Sequence, residues 1–164
     1  MTSRVKASLF DILNPYLQDA LVLDLFAGTG QLGIEALSRG AHHCTFVELD
    51  RKVISVTRKN IQTTGMESQS TLLQQNVLTF LNRPATQSYD LVLVSPPQYK
   101  GLVSSTLQAL DNLGGPLHTN TLVAIQQSSK EPNPSNLRHL EISDIRNYGS
   151  TNLLFYQATR TQSN

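Results

Sequence analysis

Residues 21–33 read LVLDLFAGTGQLG, an apolar run that passes through a glycine-rich turn into a helical pattern. The first five residues predict a buried strand, and Ile34 to Leu37 continue the helix that follows the turn. Because glycine has no Cβ, Gly28 and Gly30 let a ligand approach the backbone closely. Dinucleotide-binding domains share this glycine spacing, so the turn predicts a ligand site without identifying the ligand.

Strand patterns and helical patterns alternate along the rest of the chain. Helices are predicted over 2–14, 31–39, 51–63, 77–82 and 102–113, and strands over 21–25, 44–48, 70–74, 90–94, 121–126, 138–146 and 152–159. Such alternation is typical of an α/β fold with a mostly parallel sheet covered by helices on both faces, closed here by an antiparallel hairpin. In the helix over 51–63, the residues expected to be buried are Val53, Ile54, Val56 and Ile61.

Length and composition set modest bounds. With 164 residues the chain is expected to form a single domain over 1–164, with an N-terminal helix over 1–18 and a core over 19–164. No apolar run approaches the roughly 20 residues of a membrane span, and no signal peptide is apparent. The single cysteine, Cys44, is expected to be a buried thiol, which favours the reducing cytoplasm. A net charge of +1 neither demands nor excludes nucleic acid, and a monomer is the default expectation.

In sheets of this kind, ligands bind beyond the carboxyl ends of the strands, where the strand order reverses. Four segments follow the predicted strands and should share one crevice: Asp24–Gly30, Glu48–Asp50, Asn76–Val77 and Ser95–Tyr99. These segments suit S-adenosylmethionine (SAM): Asp24 can face its amino group, Glu48 can accept from both ribose hydroxyls, and Asn76 can accept from the adenine amine. The predicted cofactor contacts are Asp24, Phe26, Ala27, Gly28, Gly30, Glu48, Leu49, Asn76, Val77 and Ser95.

A nicotinamide dinucleotide is the alternative ligand, because Glu48 lies twenty residues after Gly28, a spacing that also suits a dinucleotide ribose. Two features favour SAM instead. Asp24 would place a negative charge near a pyrophosphate, and nothing downstream resembles a hydride-transfer site. Two structural alternatives stay open: Glu48 as a surface charge at a strand end and Asn76 as a helix cap.

Several stretches together resemble one known family. They are Thr2–Leu13, Leu23–Ala41, Phe46–Asp50, Asn76–Leu81 and Tyr89–Pro97. They resemble the RsmD-type methyltransferases, which place a methyl group on a guanine amino nitrogen of small-subunit ribosomal RNA. The resemblance implies a Rossmann-like SAM-dependent methyltransferase fold with a seven-stranded sheet, SAM as the cofactor, and ribosomal RNA or the small ribosomal subunit as the partner.

The chain departs from that family's pattern at four places. The family usually carries Asp-Pro-Pro followed by an aromatic residue, whereas this chain has Ser95-Pro96-Pro97-Gln98 and an aromatic only at Tyr99. Asn76 replaces the usual acidic adenine contact, and Gln126-Gln127 replaces a Glu-His pair. The family's N-terminal hairpin, which should help hold RNA, has no counterpart in this chain. All four changes remove charge or substrate contact near the site.

The resemblance implies that Ser95, Pro96, Pro97 and Tyr99 are the catalytic residues. A guanine amine is a poor nucleophile, because its lone pair is delocalised into the ring. Ser95 Oγ and the Pro96 carbonyl are expected to accept hydrogen bonds from the amine, and proline fixes φ and so holds that carbonyl in place. Tyr99 is expected to stack on the base, a contact worth roughly 1–3 kcal/mol. The chain is therefore expected to be a working amino-methyltransferase.

Three basic residues are predicted to contact RNA phosphates: Arg4 and Lys6 near the N-terminus, and Lys100 after the proline loop. For Arg4 and Lys6 the alternative is plain surface charge. Two alternative functions also remain: a catalytically silent relative that binds SAM or RNA, and an amino-methyltransferase acting on a protein glutamine or a DNA base. No spacing of His or Cys suggests a metal site, and methyl transfer needs none.

Overall fold

The computed structural model describes residues 1–98, 100–112 and 115–159. Its seven strands are β1 Leu21–Leu25, β2 His43–Glu48, β3 Ser70–Gln74, β4 Tyr89–Val94, β5 Leu117–Ser128, β6 Leu140–Tyr148 and β7 Thr151–Ala158. Its five α-helices are α1 Ser3–Leu13, α2 Gln31–Ser38, α3 Arg51–Thr63, α4 Val77–Leu81 and α5 Leu102–Leu110, and short 3₁₀ turns cover Asn14–Tyr16 and Glu67–Gln69.

The seven strands form one sheet in the order β3-β2-β1-β4-β5-β7-β6. The first five strands of that order are parallel to their neighbours, and β7 pairs antiparallel with both β5 and β6. The predicted Rossmann-like sheet with an antiparallel C-terminal hairpin is therefore confirmed. Because β1 leads outward to β2 on one side and lies beside β4 on the other, the strand order reverses between β1 and β4.

Side chains alternate between the two faces of the sheet and build a hydrophobic core on each. On one face, Val22, Cys44 and Phe46 pack with buried residues of α1 and α2. On the other, Leu23 and Val47 pack with buried residues of α4 and α5. This two-sided burial explains why the central parallel strands read as continuous apolar runs rather than as alternating ones.

Three local predictions about the elements were wrong. The last helix ends at Leu110, where the Asp111 carboxylate caps the backbone N–H groups of Arg138 and His139 instead of continuing the helix. Strand β5 begins at Leu117, because its first residues already pair with the start of β4. Val56 is exposed, because the buried face of α3 is formed by Ile54, Thr57 and Ile61.

Cys44 is fully buried in β2, as expected for a structural thiol. Burial raises the pKa of this thiol well above its usual range, and the negative charge of nearby Asp24 raises it further. The thiol is therefore protonated and unreactive in the folded protein. Among the described helices, none is long and apolar enough to cross a membrane.

Candidate active site

A cavity of about 840 Å³ opens at the carboxyl ends of the parallel strands, where the strand order reverses. It brings together most of the residues that the sequence singled out: Lys6, Asp24, Phe26, Ala27, Gly28, Glu48, Leu49, Asn76, Val77, Ser95, Pro96, Pro97 and Lys100. Tyr99, predicted to be catalytic, lies outside the described residues. The segments that follow the separate strands therefore line one shared cavity, as expected.

The glycine turn after β1 has two glycines with different roles. Gly28 has φ +57°, and a Cβ built on it would meet no atom within 4 Å, so its backbone faces open space in the cavity. Gly30 has φ +85° and is buried, and a Cβ there would lie 2.8 Å from Thr57 Cγ2. Gly30 is not among the residues that line the cavity, and its missing side chain serves packing against α3.

The residue before the turn, Phe26, also has a left-handed backbone, with φ +59°. A bulky side chain rarely adopts this conformation, which costs on the order of 1 kcal/mol or more. The strained residue lies directly at the cavity wall. Backbone strain at such a position is typical of a functional site.

Helix α3 holds the carbonyl groups of the glycine turn, a feature that the sequence analysis missed. Thr57 Oγ1 donates a hydrogen bond to the Gly28 carbonyl, and Asn60 Nδ2 donates to the Thr29 carbonyl at 2.9 Å. Thr57 is fully buried. The signal that could have found it is a polar residue on the apolar face of an amphipathic helix, between Ile54 and Ile61.

Glu48, at the end of β2, connects two turns at the cavity. Its Oε1 accepts from Gly28 N at 3.0 Å, and its Oε2 accepts from Asp50 N at 2.8 Å. Each carboxylate oxygen keeps a second lone pair, so the side chain can still accept from a ligand hydroxyl. Glu48 is therefore both a brace for the glycine turn and an acceptor already oriented at the cavity wall.

Asp24 is a carboxyl group with almost no exposure to solvent, at 1%. Its Oδ2 accepts from Gly33 N at 3.0 Å, which ties the end of β1 to the first turn of α2. The pKa of Asp24 is raised to about 7: burial raises it most, the hydrogen bond from Gly33 lowers it, and the charge of Glu48 raises it. A cationic group beside Asp24 would favour the ionised form.

Asn76 caps the N-terminus of α4, so the helix-cap interpretation is confirmed. Its Oδ1 accepts from Leu78 N at 2.9 Å and from Thr79 N at 3.2 Å. These two bonds occupy both lone pairs of the only acceptor atom in the side chain. The polar side-chain atom of Asn76 that these two bonds leave over is Nδ2, a donor, and not the free acceptor expected from the sequence for an adenine amine.

Ser95 and Gln126 meet across two neighbouring strand ends. The register pairs Val94 of β4 with Ile125 of β5, so the next residue of each strand lies at the same level. Ser95 Oγ donates to Gln126 Oε1 at 3.2 Å, and both side chains line the cavity beside Pro96. The uncharged pair supplies hydrogen-bonding groups without a carboxylate.

The predicted RNA contacts have different positions. Lys6 lines the cavity, with its Nζ 3.9 Å from Glu35 Oε2, and Lys100, which follows the proline loop in sequence, is exposed and also lines the cavity. Arg4 is exposed on α1 and does not line the cavity. In the described part of the chain, no group of three or more His, Cys, Asp or Glu side chains is arranged to hold a metal ion.

Comparison with known proteins gives a consistent result. A family model described as Conserved hypothetical protein 95 matches residues 1–157. The chain is 38% identical to Ribosomal RNA small subunit methyltransferase D of Haemophilus influenzae over 131 residues, which cover 79% of this chain and 67% of that protein. It is 39% identical to the Escherichia coli protein of the same name over 113 residues, which cover 69% of this chain and 56% of that protein. A solved structure of the Escherichia coli protein yhhF matches with a TM-score of 0.90 and 31% identity, covering 98% of this chain and 89% of that one.

Proposed function

This chain belongs to the RsmD-type family of ribosomal RNA methyltransferases, and we propose that it methylates an exocyclic guanine amine of small-subunit ribosomal RNA with SAM as the methyl donor. Family membership supports SAM-dependent methylation of ribosomal RNA. One observation carries the assignment of an amine as the acceptor: Ser95 Oγ and the Pro96 loop lie at the wall of the cavity formed by the glycine turn.

The residues of the cavity fit SAM. The open side of Gly28 leaves room for a ligand against the backbone, and Glu48 offers acceptor lone pairs for ribose hydroxyls. Asp24 is a buried carboxyl with a raised pKa. A positive charge beside it, such as the amino group of SAM, would stabilise its ionised form. Leu49 and Val77 supply apolar walls for an adenine ring.

The protein's contribution to the chemistry is to position the amine. Bound SAM would supply an electrophilic methyl group to the amine nitrogen and leave as S-adenosylhomocysteine when the carbon–sulfur bond breaks, and the methylated nitrogen would release one proton to water. Ser95 Oγ and the Pro96 carbonyl would accept hydrogen bonds from the two amine hydrogens and turn the nitrogen lone pair toward the methyl group. Alignment of this kind supplies a large part of the rate enhancement, on the order of several kcal/mol.

We propose the small ribosomal subunit or its RNA as the partner, with Lys6 and Lys100 as phosphate contacts and Arg4 as a more distant one. Lys6 and Lys100 both line the cavity, so an RNA strand that enters it would meet positive charge from two separate segments of the chain. A monomer acting in the cytoplasm agrees with this role. A catalytically silent relative is not favoured, because the relatives carry the names of methyltransferases.

Two measurements test the proposal. Calorimetric titration with SAM and with S-adenosylhomocysteine should give micromolar dissociation constants. Incubation with radiolabelled SAM and small ribosomal subunits, or naked small-subunit RNA, should then label RNA, and mass spectrometry of its nucleosides should find N2-methylguanosine. Cofactor binding without methylation of RNA would overturn the proposed activity. Methylation of adenosine or cytidine instead would overturn the choice of guanine.

A further inference from the structure

We infer that the exposed side of helix α3 binds the phosphate backbone of the RNA substrate outside the cavity. This side carries Arg51, Lys52, Arg58 and Lys59, which we call the basic face of α3, and all four side chains are exposed. None of the four lines the cavity. The inference rests on the proposed function, because it names a surface that holds the RNA whose base is methylated.

The distribution of charge along the chain distinguishes this helix from the others. The protein has 13 Lys and Arg residues against 12 Asp and Glu residues, yet α3 carries four of the cations and no acid. A helix that is merely solvated usually mixes both signs, because Glu–Lys pairs three or four residues apart stabilise it. A charge of one sign on one helix instead fits a polyanionic partner.

The cations of the basic face are not neutralised by neighbouring acids. In the described part of the chain, no salt bridge joins any of the four to a carboxylate, whereas Glu35 alone forms two salt bridges on α2. Two acids flank α3. The Asp50 carboxylate caps the first backbone N–H groups of the helix, and Glu67 lies beyond its end. The positive charge of the face is therefore available to a partner.

Two of the cations stand where they weaken the helix. Arg51 and Lys52 lie in the first turn of α3, and its last turn contains no basic residue. Because the N-terminus is the positive end of the helix dipole, cations are unfavourable in the first turn and favourable in the last. Helix stability therefore does not explain this arrangement. Binding of a phosphate group does, since the side chains and the helix dipole would both attract it.

Helical spacing places the four side chains on one side of α3. At about 3.6 residues per turn, they fall within about 120° of the circumference, away from the side that packs on the sheet. The first two cations lie seven residues before the second two, so the pairs are separated by about 10 Å along the helix axis. Pairs at this separation can contact different phosphate groups of one RNA strand.

The basic face begins at the rim of the cavity. Leu49 and Asp50 line the cavity, and Arg51 follows directly as the first residue of α3. Because α3 connects two parallel strands, it runs back from their carboxyl ends toward their amino ends. An RNA whose target base enters the cavity can therefore continue past the rim onto the basic face.

A membrane surface is the other polyanion that a basic helix can bind. Such a helix inserts an apolar face between the lipids. The apolar face of α3 is turned into the protein core, and Val56 is the only large apolar residue of this helix that is exposed. The side chains of α3 therefore favour RNA.

Removal of the four charges tests the inference. Glutamine has a helix propensity close to that of Lys and Arg, so Arg51→Gln/Lys52→Gln/Arg58→Gln/Lys59→Gln should keep the helix. Fluorescence anisotropy with small-subunit RNA and S-adenosylhomocysteine should show an affinity about tenfold or more below that of the wild type at about 0.1 M KCl. The slope of log affinity against log salt should be smaller by about three, because each lost phosphate contact removes about 0.7–0.9 from it.

A matched pair of double variants shows whether position matters or only net charge. Arg58→Gln/Lys59→Gln should lose about half of the salt slope that the quadruple variant loses. Arg83→Gln/Arg138→Gln removes the same charge from two exposed residues that precede β4 and β6, at the opposite edge of the sheet from the cavity, and should bind RNA like the wild type. Arg51→Gln/Lys52→Gln should unfold at a temperature no lower than that of the wild type, since it relieves the helix dipole.

Kinetics give a second readout. In the quadruple variant, KM for small ribosomal subunits should rise about tenfold, whereas kcat and the dissociation constant for SAM should keep their wild-type values. An unchanged salt slope and KM would overturn the inference, as would an equal loss in Arg83→Gln/Arg138→Gln. Wild-type binding to phosphatidylserine vesicles that is lost in the quadruple variant, with RNA affinity unchanged, would overturn it in favour of a membrane.

The inference and the proposed function can fail separately. If the wild type binds RNA through the basic face but transfers no methyl group to it, the proposed activity is overturned and the RNA surface stands. If the wild type methylates RNA and the quadruple variant does so with the same KM and the same salt dependence, the inference alone is overturned.

Discussion

At the scale of single residues, we expect Asp24 to make SAM binding sensitive to pH. Burial raises the pKa of this carboxyl to about 7 in the folded protein without ligand. A cationic amine bound beside it would stabilise the ionised form, so binding should become weaker as the carboxyl takes up a proton. We expect the dissociation constant for SAM to fall about tenfold between pH 5.5 and pH 7, measured by calorimetry.

Asp24→Asn is the matched control, because the amide oxygen can still accept from Gly33 N. This variant should bind SAM weakly and show no dependence on pH over the same range. The dependence of its unfolding free energy on pH should also differ from that of the wild type. Because the wild-type carboxyl ionises near 3.8 when unfolded and near 7 when folded, wild-type stability should fall as pH rises between these values. A wild-type SAM affinity that is flat in pH would contradict the role of Asp24.

Ser95 gives a second prediction at this scale. Ser95→Ala removes one acceptor for the amine but leaves the Pro96 carbonyl, and it leaves Gln126 Oε1 without its donor. We expect kcat to fall about tenfold, since one neutral hydrogen bond is lost in the aligned complex. The SAM dissociation constant should stay unchanged. Ser104→Ala, an exposed serine on α5, is the control, and a loss of SAM binding in Ser95→Ala would show that Ser95 acts as the predicted cofactor contact instead of on the amine.

At the scale of elements, helix α3 acts as a clamp on the glycine turn. Thr57→Val keeps the shape of the side chain but removes the hydroxyl that bonds the Gly28 carbonyl. The half-buried Gly28 carbonyl would lose its partner at a cost of about 1 kcal/mol or more, so SAM affinity should fall about tenfold as the turn loses its geometry. Calorimetry on Thr57→Val, Thr57→Ser and Thr63→Val checks this, with Thr63 exposed on the same helix.

The serine variant decides the interpretation of that series. Thr57→Ser restores the hydroxyl and should recover most of the affinity, whereas Thr63→Val should bind like the wild type. If Thr57→Ser bound SAM as poorly as Thr57→Val, the methyl group that packs on Gly30 would matter as well as the hydroxyl. If Thr57→Val bound SAM like the wild type, the hydrogen bond to the Gly28 carbonyl would not matter.

The N-terminus of α4 allows a test of adenine recognition. The only acceptor atom of the Asn76 side chain, Oδ1, already accepts from two backbone N–H groups of the helix. Asn76→Asp keeps one oxygen for the cap and offers the other to the adenine amine, and a negative charge also suits a helix N-terminus. We expect SAM to bind several-fold more tightly to this variant, measured by calorimetry. Asn76→Ala should instead lose about 1 kcal/mol of stability with the cap, and unchanged affinity in Asn76→Asp would place the adenine amine elsewhere.

The elements also show what could be predicted from sequence. Strand β1 and helix α3 have the predicted bounds, because an apolar run between turn residues and an amphipathic helix with an Asp50 cap are local signals. The end of α5 was predicted wrongly, because Asp111 bonds backbone groups some 27 residues further along the chain. Periodicity over one segment cannot reveal a partner at that distance.

At the scale of the whole molecule, topology explains why the candidate site was predictable. Parallel strands bring their carboxyl ends to one edge, so residues after four separate strands had to meet once the sheet was recognised. The roles of Asn76 and Gln126 were not predictable in the same way. They depend on which atom of an amide faces its neighbour, and only three-dimensional contacts determine that.

The lone cysteine gives the molecule a built-in reporter of opening. Cys44 lies in the second strand of the sheet with no exposure, so a thiol reagent can reach it only when this part of the core opens. The rate of labelling should therefore give the free energy of that opening, as hydrogen exchange does for amides. If opening disrupts the cavity, SAM should slow labelling by a factor of one plus the ratio of its concentration to its dissociation constant. The labelling rate of one thiol would thus report both the free energy of opening of the sheet and the dissociation constant of SAM.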